Sequence, residues 1–336
     1  MPSPSTLDSS SILITGGTGS FGQACVATLL ERHKPKRLVV FSRDEMKQAA
    51  MAELFPVERY KDLRFFIGDV RDQARLTQAM HGVDYVIHAA AMKIVPTAEY
   101  NPFECVRTNI HGAENVLQAS LAAGVRRVIA LSTDKAVAPI NLYGATKLAA
   151  EKIFVAANSF GSPDSSRFSV ARYGNVLGSR GSVVQVFQRM VRGGADRLPI
   201  TDPRMTRFWI TLRQGVDFVL KVLTEMQGGE VFVPKLPSMR VSDLATALGP
   251  GLPQHVIGIR PGEKLHETLI TRTESSYGVD AGDHYIIYPS IAPWTTGLKP
   301  PAGAKPLADD FEYGSDTNTD WITPEALRNL VTEATT

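Results

Sequence analysis

Ile12-Leu13-Ile14-Thr15-Gly16-Gly17-Thr18-Gly19-Ser20-Phe21-Gly22 is the stretch on which the fold turns. An apolar triplet reads as a buried strand, and the apolar spacing from Phe21 to Glu31 reads as a helix. Between them stand glycines in the pattern T-G-x-x-G-x-x-G. Gly16 permits the tight turn, Gly19 lets the backbone approach a pyrophosphate, and Gly22 allows close helix–sheet packing. The first turn of the helix, with Ser20 and Phe21, offers free amides and a partial positive charge to phosphate. In a strand–turn–helix context this spacing predicts a dinucleotide site.

Working outward, short apolar runs alternate with helical patterns. Strands are expected at Arg37 to Phe41, Arg64 to Ile67, Tyr85 to His88, Val128 to Leu131 and Phe168 to Arg172. Helices are expected at Asp44 to Leu54, Pro102 to Ala123 and Tyr143 to Asn158. That alternation implies an α/β fold, a Rossmann-type doubly wound parallel sheet with right-handed crossovers. After Arg172 the rhythm loosens. Helices are expected at Ser182 to Arg192 and Gln214 to Met226, and from Asp243 to Leu248 with Ser242 as N-cap. Val231 to Val233 and His255 to Ile259 read as short strands. Residues 1–174 are read mainly as a nucleotide-binding domain. Residues 175–290 form a smaller substrate lobe with segments returning to the main sheet. Residues 291–336 form a tail wrapping the surface and ending in a helix from Pro324 to Val331.

The composition is that of an ordinary globular protein of 336 residues. A net charge of +2 with mixed signs argues against a nucleic-acid partner. Cys25 and Cys105 lie in helical segments without metal-site spacing and read as reduced core residues, so no metal is expected. Met1 to Ser10 lacks a signal-peptide layout, and no apolar run approaches the roughly 20 residues of a membrane span. The expectation is a cytoplasmic chain with no membrane partner.

The second strand ends in Phe41-Ser42-Arg43-Asp44. Ser42 and Arg43 suit a 2′-phosphate and favour NADP, with Lys47 adding charge one turn later. Asp44 either meets a ribose hydroxyl or caps the helix. Asp69 either accepts from an adenine amino group or caps the next helix. The small residues Ala89 and Ala90 let a cofactor lie against the backbone, and His88 reads as a core histidine.

The chemistry lies further on, where Ser132-Thr133-Asp134-Lys135 is followed by Tyr143 and Lys147. A Tyr and a Lys four apart share a helix face, and the cation favours phenolate. Such a tyrosine takes an alcohol proton while hydride leaves the same carbon. The resulting ketone acidifies the neighbouring C–H. Lys135 could then act as base if its pKa is lowered, and Asp134 as acid if its pKa is raised. An acid and a base together suit elimination of water; the alternative is an exposed turn pair.

At these residues the sequence resembles the inverting UDP-N-acetylglucosamine 4,6-dehydratases of pseudaminic acid biosynthesis, within the extended short-chain dehydrogenase/reductase superfamily. The resemblance runs from Ser11 to Pro289. It is carried by Thr15 to Gly22, Arg43 to Glu45, Phe66 to Asp72, His88 to Lys93, Leu131 to Lys147, Arg172 to Ser182, Thr201 to Leu212 and Gly258 to His266. It implies a lyase in which Thr133, Asp134, Lys135, Tyr143 and Lys147 form the catalytic set. It also extends the NADP contacts to Gln48, Val70, Lys93, Leu131, Ser132, Val176 and Arg180. Lys93, Thr133, Asp134, Asn175, Val183, Thr201, Arg260 and Glu263 would meet UDP-N-acetylglucosamine, with Arg204 and Arg207 as further anion-binding candidates. A homo-oligomer, a hexamer, is implied as well. The alternatives are a retaining dehydratase, a UDP-sugar 4-epimerase, and a non-catalytic NADP-binding sensor.

Overall fold

The computed structural model describes residues 7–160, 165–179, 181–291 and 297–333. The start of the N-terminal segment, the 292–296 stretch of the tail and Arg180 therefore lie outside the described residues. Six strands run in parallel: β1 (Ser11–Thr15), β2 (Arg37–Ser42), β3 (Leu63–Ile67), β4 (Tyr85–His88), β5 (Arg127–Thr133) and β6 (Arg167–Tyr173). Their order in the sheet is β3-β2-β1-β4-β5-β6. Strand β1 is buried throughout, as a strand covered by helices on both faces must be. The crossovers contain α1 (Ser20–Arg32), α2 (Glu45–Leu54), α3 (Gln73–Met80), α4 (Val95–Tyr100), α5 (Pro102–Val106), α6 (Gly112–Ala123) and α7 (Leu142–Ala156). The order reverses between β1 and β4, so the crevice beyond their carboxyl ends is the topological switch point where ligands bind. The single helix expected from Pro102 to Ala123 is instead interrupted by a π turn at Arg107–His111.

Beyond β6 come β7 (Asn175–Val176), α8 (Val183–Arg192), β8 (Leu198–Ile200), β9 (Thr206–Ile210) and α9 (Leu212–Glu225). They are followed by β10 (Val231–Pro234), β11 (Ser238–Arg240), α10 (Val241–Leu248), β12 (Gln254–Val256) and β13 (Thr268–Ile270). Then come α11 (Arg272–Ser275), β14 (Gly278–Asp280), β15 (His284–Ile287), β16 (Lys305–Pro306), β17 (Tyr313–Gly314) and α12 (Pro324–Glu333). Strand β10 joins β6 in parallel; β15, β14 and β16 then extend the sheet antiparallel, to ten strands. A second apolar core, around Phe187, Trp209, Met239 and Leu244, lies under α8 and α10. Helix α10 begins at Val241 without a side-chain cap, and the Ser242 hydroxyl donates to the Pro203 carbonyl instead, so the expected Ser242 cap is not formed.

The tail is more than a surface wrap. Leu327 of α12 is fully buried in the second core, and β17 pairs with β13. The Tyr313 hydroxyl accepts from the Leu236 amide and donates to its carbonyl. Among the described residues, no helix is long and apolar enough to cross a membrane.

Candidate functional site

The glycine turn meets the loop after β4. Gly16 has φ +67°, and a Cβ there would stand 2.8 Å from Ala90 Cα, so both conformation and space require glycine. Helix α1 starts at Ser20 behind Gly19, which has no side chain to cap it, so its first amides stay aimed at the crevice. This cradle fits a pyrophosphate. Ser42 is buried, and Gln48 donates to its hydroxyl, its carbonyl and the Phe66 carbonyl, which locks the ends of β2 and β3 together. Asp44 caps α2 through the Lys47 amide and pairs with the Lys47 ammonium at 2.9 Å. These contacts hold its carboxyl below the usual range. Arg43 is exposed, 3.6 Å from Asp69, and Asp69 accepts three hydrogen bonds from Arg71. Val70, Leu131 and Ser132 are buried beside them, with Ala89 and Ala90 half-buried. His88 bonds Thr15 at 2.8 Å, and burial depresses its pKa to about 3, so it is a neutral core residue.

At the carboxyl end of β5 the chain makes one tight turn, Asp134–Ala136. Gly144 packs so closely on this turn that a Cβ would collide with the Lys135 carbonyl, which brings Tyr143 of α7 against the turn. Asp134 is fully buried. Its Oδ1 accepts from Thr133 Oγ1 at 2.8 Å and from Lys135 Nζ at 3.0 Å. Its Oδ2 has no hydrogen-bond partner among the described residues. The exposed-turn alternative is therefore excluded. Lys135 Nζ also donates to Asn175 Oδ1 at 3.3 Å, which fixes β7 to this turn. Burial pushes the Tyr143 phenol up to about 12; the Lys135 charge and the Thr133 hydroxyl counter it. The cation countering that rise is thus Lys135, whereas Lys147, whose own pKa burial lowers to about 8, was the partner expected from the spacing. Burial pulls Lys135 down, but Asp134 and Glu267 outweigh it and hold its pKa above the ordinary lysine value. Lys93, nearby, is lowered by burial and by the Lys135 charge.

Two residues of this site carry no sequence motif. Asn109, on the π turn, accepts from the Met92 amide and donates to the Met92 carbonyl and to Thr146. It thus clamps the Lys93 loop to α7. Glu267 is 2 % exposed, with an oxygen 3.7 Å from Lys135 Nζ and 3.8 Å from Arg207 Nε. Asn109 stands among Arg107, Thr108 and His111, so nothing in its surroundings marked it, and Glu267 gave no signal either.

The remaining candidates divide. Arg207 is buried and donates to the carbonyls of Thr206, Lys264 and Leu265. Arg204 is exposed and bound to Asp202 at the rim of a cavity of about 560 Å³ that also touches Arg240, His266 and Trp321, and none of Asp134, Lys135 and Tyr143 lines it. Arg260 pairs with Glu263 on an exposed loop. Thr201 is buried against Met205, and Val176 and Val183 are half-buried. Among the described residues, no group of three or more His, Cys, Asp or Glu could hold a metal.

A glycine-loop Rossmann sheet whose fifth strand feeds a Tyr-x-x-x-Lys helix defines the class, the extended short-chain dehydrogenase/reductases. The model of the polysaccharide biosynthesis protein family matches residues 12–289. A UDP-N-acetylglucosamine 4,6-dehydratase (inverting) of Campylobacter jejuni is 52% identical over 95% of this chain and 96% of its own. A UDP-glucose 4-epimerase of Rickettsia typhi is 44% identical over 82% of each. The solved structure of Pen from Bacillus thuringiensis superposes with TM-score 0.89 at 36% identity, covering 98% of this chain and 99% of that one. The chain belongs to the polysaccharide biosynthesis protein family, in the group of the inverting UDP-N-acetylglucosamine 4,6-dehydratases.

Proposed function

We propose that this chain is an NADP-dependent hydro-lyase that converts UDP-N-acetylglucosamine to the 4-keto-6-deoxy sugar with inversion at C5. That product opens pseudaminic acid biosynthesis, for flagellin or surface polysaccharide. The observation that carries the reading is the pair of buried Asp134 and half-buried Lys135, joined to Asn175 and packed against Tyr143. A 4-epimerase needs the tyrosine but has no use for an acid and a base dedicated to elimination. A sensor needs neither.

A bound nicotinamide would supply the hydride-acceptor chemistry that C4 needs and the hydride-donor chemistry that C6 needs. Tyr143, as phenolate, takes the proton of the C4 hydroxyl. Lys135, as amine, takes the C5 proton acidified by the ketone. Asp134, as acid, protonates the departing C6 hydroxyl, which leaves as water. A proton from solvent then enters C5 from the opposite face, which balances the one that Lys135 has taken. Each turnover leaves a proton on Tyr143 and removes one from Asp134. Thr133, whose hydroxyl touches Asp134 and counters the Tyr143 shift, offers the route that restores both. Ser42, Arg43 and Lys47 would hold the 2′-phosphate, and Lys147 the nicotinamide ribose. Asn175 and Arg260 would meet the sugar nucleotide, and Arg207 would orient the floor of the site.

A separate lobe after about residue 174 is supported by the second core, which begins at Leu177, while Val216, Leu223, Val231 and Ile286 pack in the first core as segments returning to the main sheet. Assembly into a homo-oligomer is supported by the exposed Ile94, Tyr100 and Phe103 on and beside α4 and α5. The enzyme is placed in the cytoplasm, where sugar nucleotides and NADP are available. Lys135→Ala tests the chemistry, with conversion followed by mass spectrometry of the sugar nucleotide. The native protein should yield a product lighter by one water. The variant should keep its fold and NADP affinity but lose dehydration by about 10³-fold. Full activity in the variant would remove the lysine from the mechanism, and an isomer of unchanged mass from the native protein would mark an epimerase.

A further inference from the structure

The resting charge of Lys135 is the wrong one for its task. An amine is needed at C5, yet Asp134 and Glu267 hold its proton on. Inversion sharpens the difficulty. If the base sits on one face and C5 is reprotonated from the other, Lys135 ends each turnover with a substrate proton that it cannot return. A second group must accept a proton from it.

Asp134 is not free for this, because it must be protonated to help the hydroxyl leave. Among the described residues, the other carboxylate in reach is Glu267. Its backbone is fixed by the tail: the Glu267 amide donates to Ser315 Oγ at 2.9 Å, and the Ser315 amide donates to the Glu267 carbonyl at 2.8 Å. Its side chain lies among Lys135, Arg207 and Lys264, with Asp134 beyond Lys135. Lys93 and Tyr143 also lie within electrostatic reach of Lys135. Glu267 Oε2 is buried and has no hydrogen-bond partner among the described residues, although Lys264 Nζ stands 3.6 Å away. Closing the 3.7 Å gap between Oε1 and Lys135 Nζ by about 1 Å would make a hydrogen bond.

We propose that Glu267 is a positioning residue for Lys135 and the carboxylate to which Lys135 discharges its proton. The N–H bond of the ammonium breaks, leaving its electron pair on nitrogen, and an O–H bond forms on Glu267. The pair keeps its net charge and proton count. The free amine then forms a new N–H bond with the C5 proton, the C–H electron pair passing towards C4 and C6. Glu267 releases its proton to solvent before the next turnover. Burial raises the Glu267 pKa above the ordinary carboxylate value, which suits a group that must hold a proton briefly.

The inference rests on the dehydratase reading, and Glu267→Gln in the full chain separates the two. In the native pair the reactive and resting forms hold the same number of protons, so the dehydration rate should be flat across neutral pH. In E267Q the rate should fall about 10²-fold at neutral pH and then climb with pH, because Lys135 must lose its proton directly to solvent. NADP affinity should not change. Glu267→Asp should restore the flat profile at a reduced rate; it also carries the test if E267Q is unstable. A native-like rate and profile in E267Q would overturn the proposal. So would a loss whose size does not depend on pH, which marks a structural role. Failure of the native protein to dehydrate UDP-N-acetylglucosamine would sink the functional reading and this inference with it.

Discussion

Lys147 is 5 % exposed, and burial takes its pKa down to about 8 from the ordinary 10.5. A lysine whose folded pKa lies below its unfolded one leaves the folded state with fewer protons between those values, so stability rises with pH across that window. Below about pH 8, the charged amine costs the fold. Lys147→Met should therefore raise stability by about 1–3 kcal/mol near pH 7 while dehydration falls at least about 10²-fold. Urea unfolding at about pH 7 and about pH 10 checks the sign, because the gain should shrink at the higher pH. Tyr143, Lys147, Asp134 and Lys135 were legible in the sequence because one helix turn and one strand end bring them together locally. Glu267 was not, because it reaches Lys135 only through the pairing of β13 with the tail strand β17. Nor could the sequence separate Arg204 from Arg207. Arg204 lies in the turn ahead of β9, and β9 itself is buried on both faces, so no alternation marks Arg207 as turned inward.

Element by element, the strands of the first half were read closely, because buried parallel strands are short apolar runs between turns. The π turn at Arg107–His111 was missed because apolar spacing continues through it, and what holds Asn109 in place is the Met92 backbone and Thr146, both distant in sequence. Arg172 shows how an element is anchored to its neighbours. It lies on β6, 1 % exposed, and all five of its donors are used. Two go to Glu151 of α7, two to Glu274 of α11, and one to the Leu269 carbonyl of β13. Glu274 is at the same time the third residue of the capping box that starts α11. The arrangement ties β6, just ahead of Asn175, to the helix bearing Tyr143. Arg172→Met would leave two carboxylates without their cation, one of them deeply buried, and should cost about 3–5 kcal/mol. Chemical denaturation reads this directly, and a loss below about 1 kcal/mol would show that the triad does not anchor the sheet.

At the scale of the whole molecule, a parallel half supplies the crevice and a later half closes it. The crevice was legible, since the glycine turn and strand alternation fix the topology. The closure was not. Strands β16 and β17 are two residues each, too short to carry a pattern, and exist because they pair with β14 and β13. Through Ser315 the tail reaches the floor of the catalytic turn, bonding Thr206 as well as Glu267. On the proposed function, this architecture eliminates water from a sugar and inverts C5. Proton NMR of the purified protein with UDP-N-acetylglucosamine in deuterated water, without added reductant, tests it most directly. The expected result is a 4-keto-6-deoxy sugar carrying deuterium at C5 and L-arabino couplings. The same ketone with D-xylo couplings would contradict inversion, and UDP-N-acetylgalactosamine alone would contradict the elimination itself.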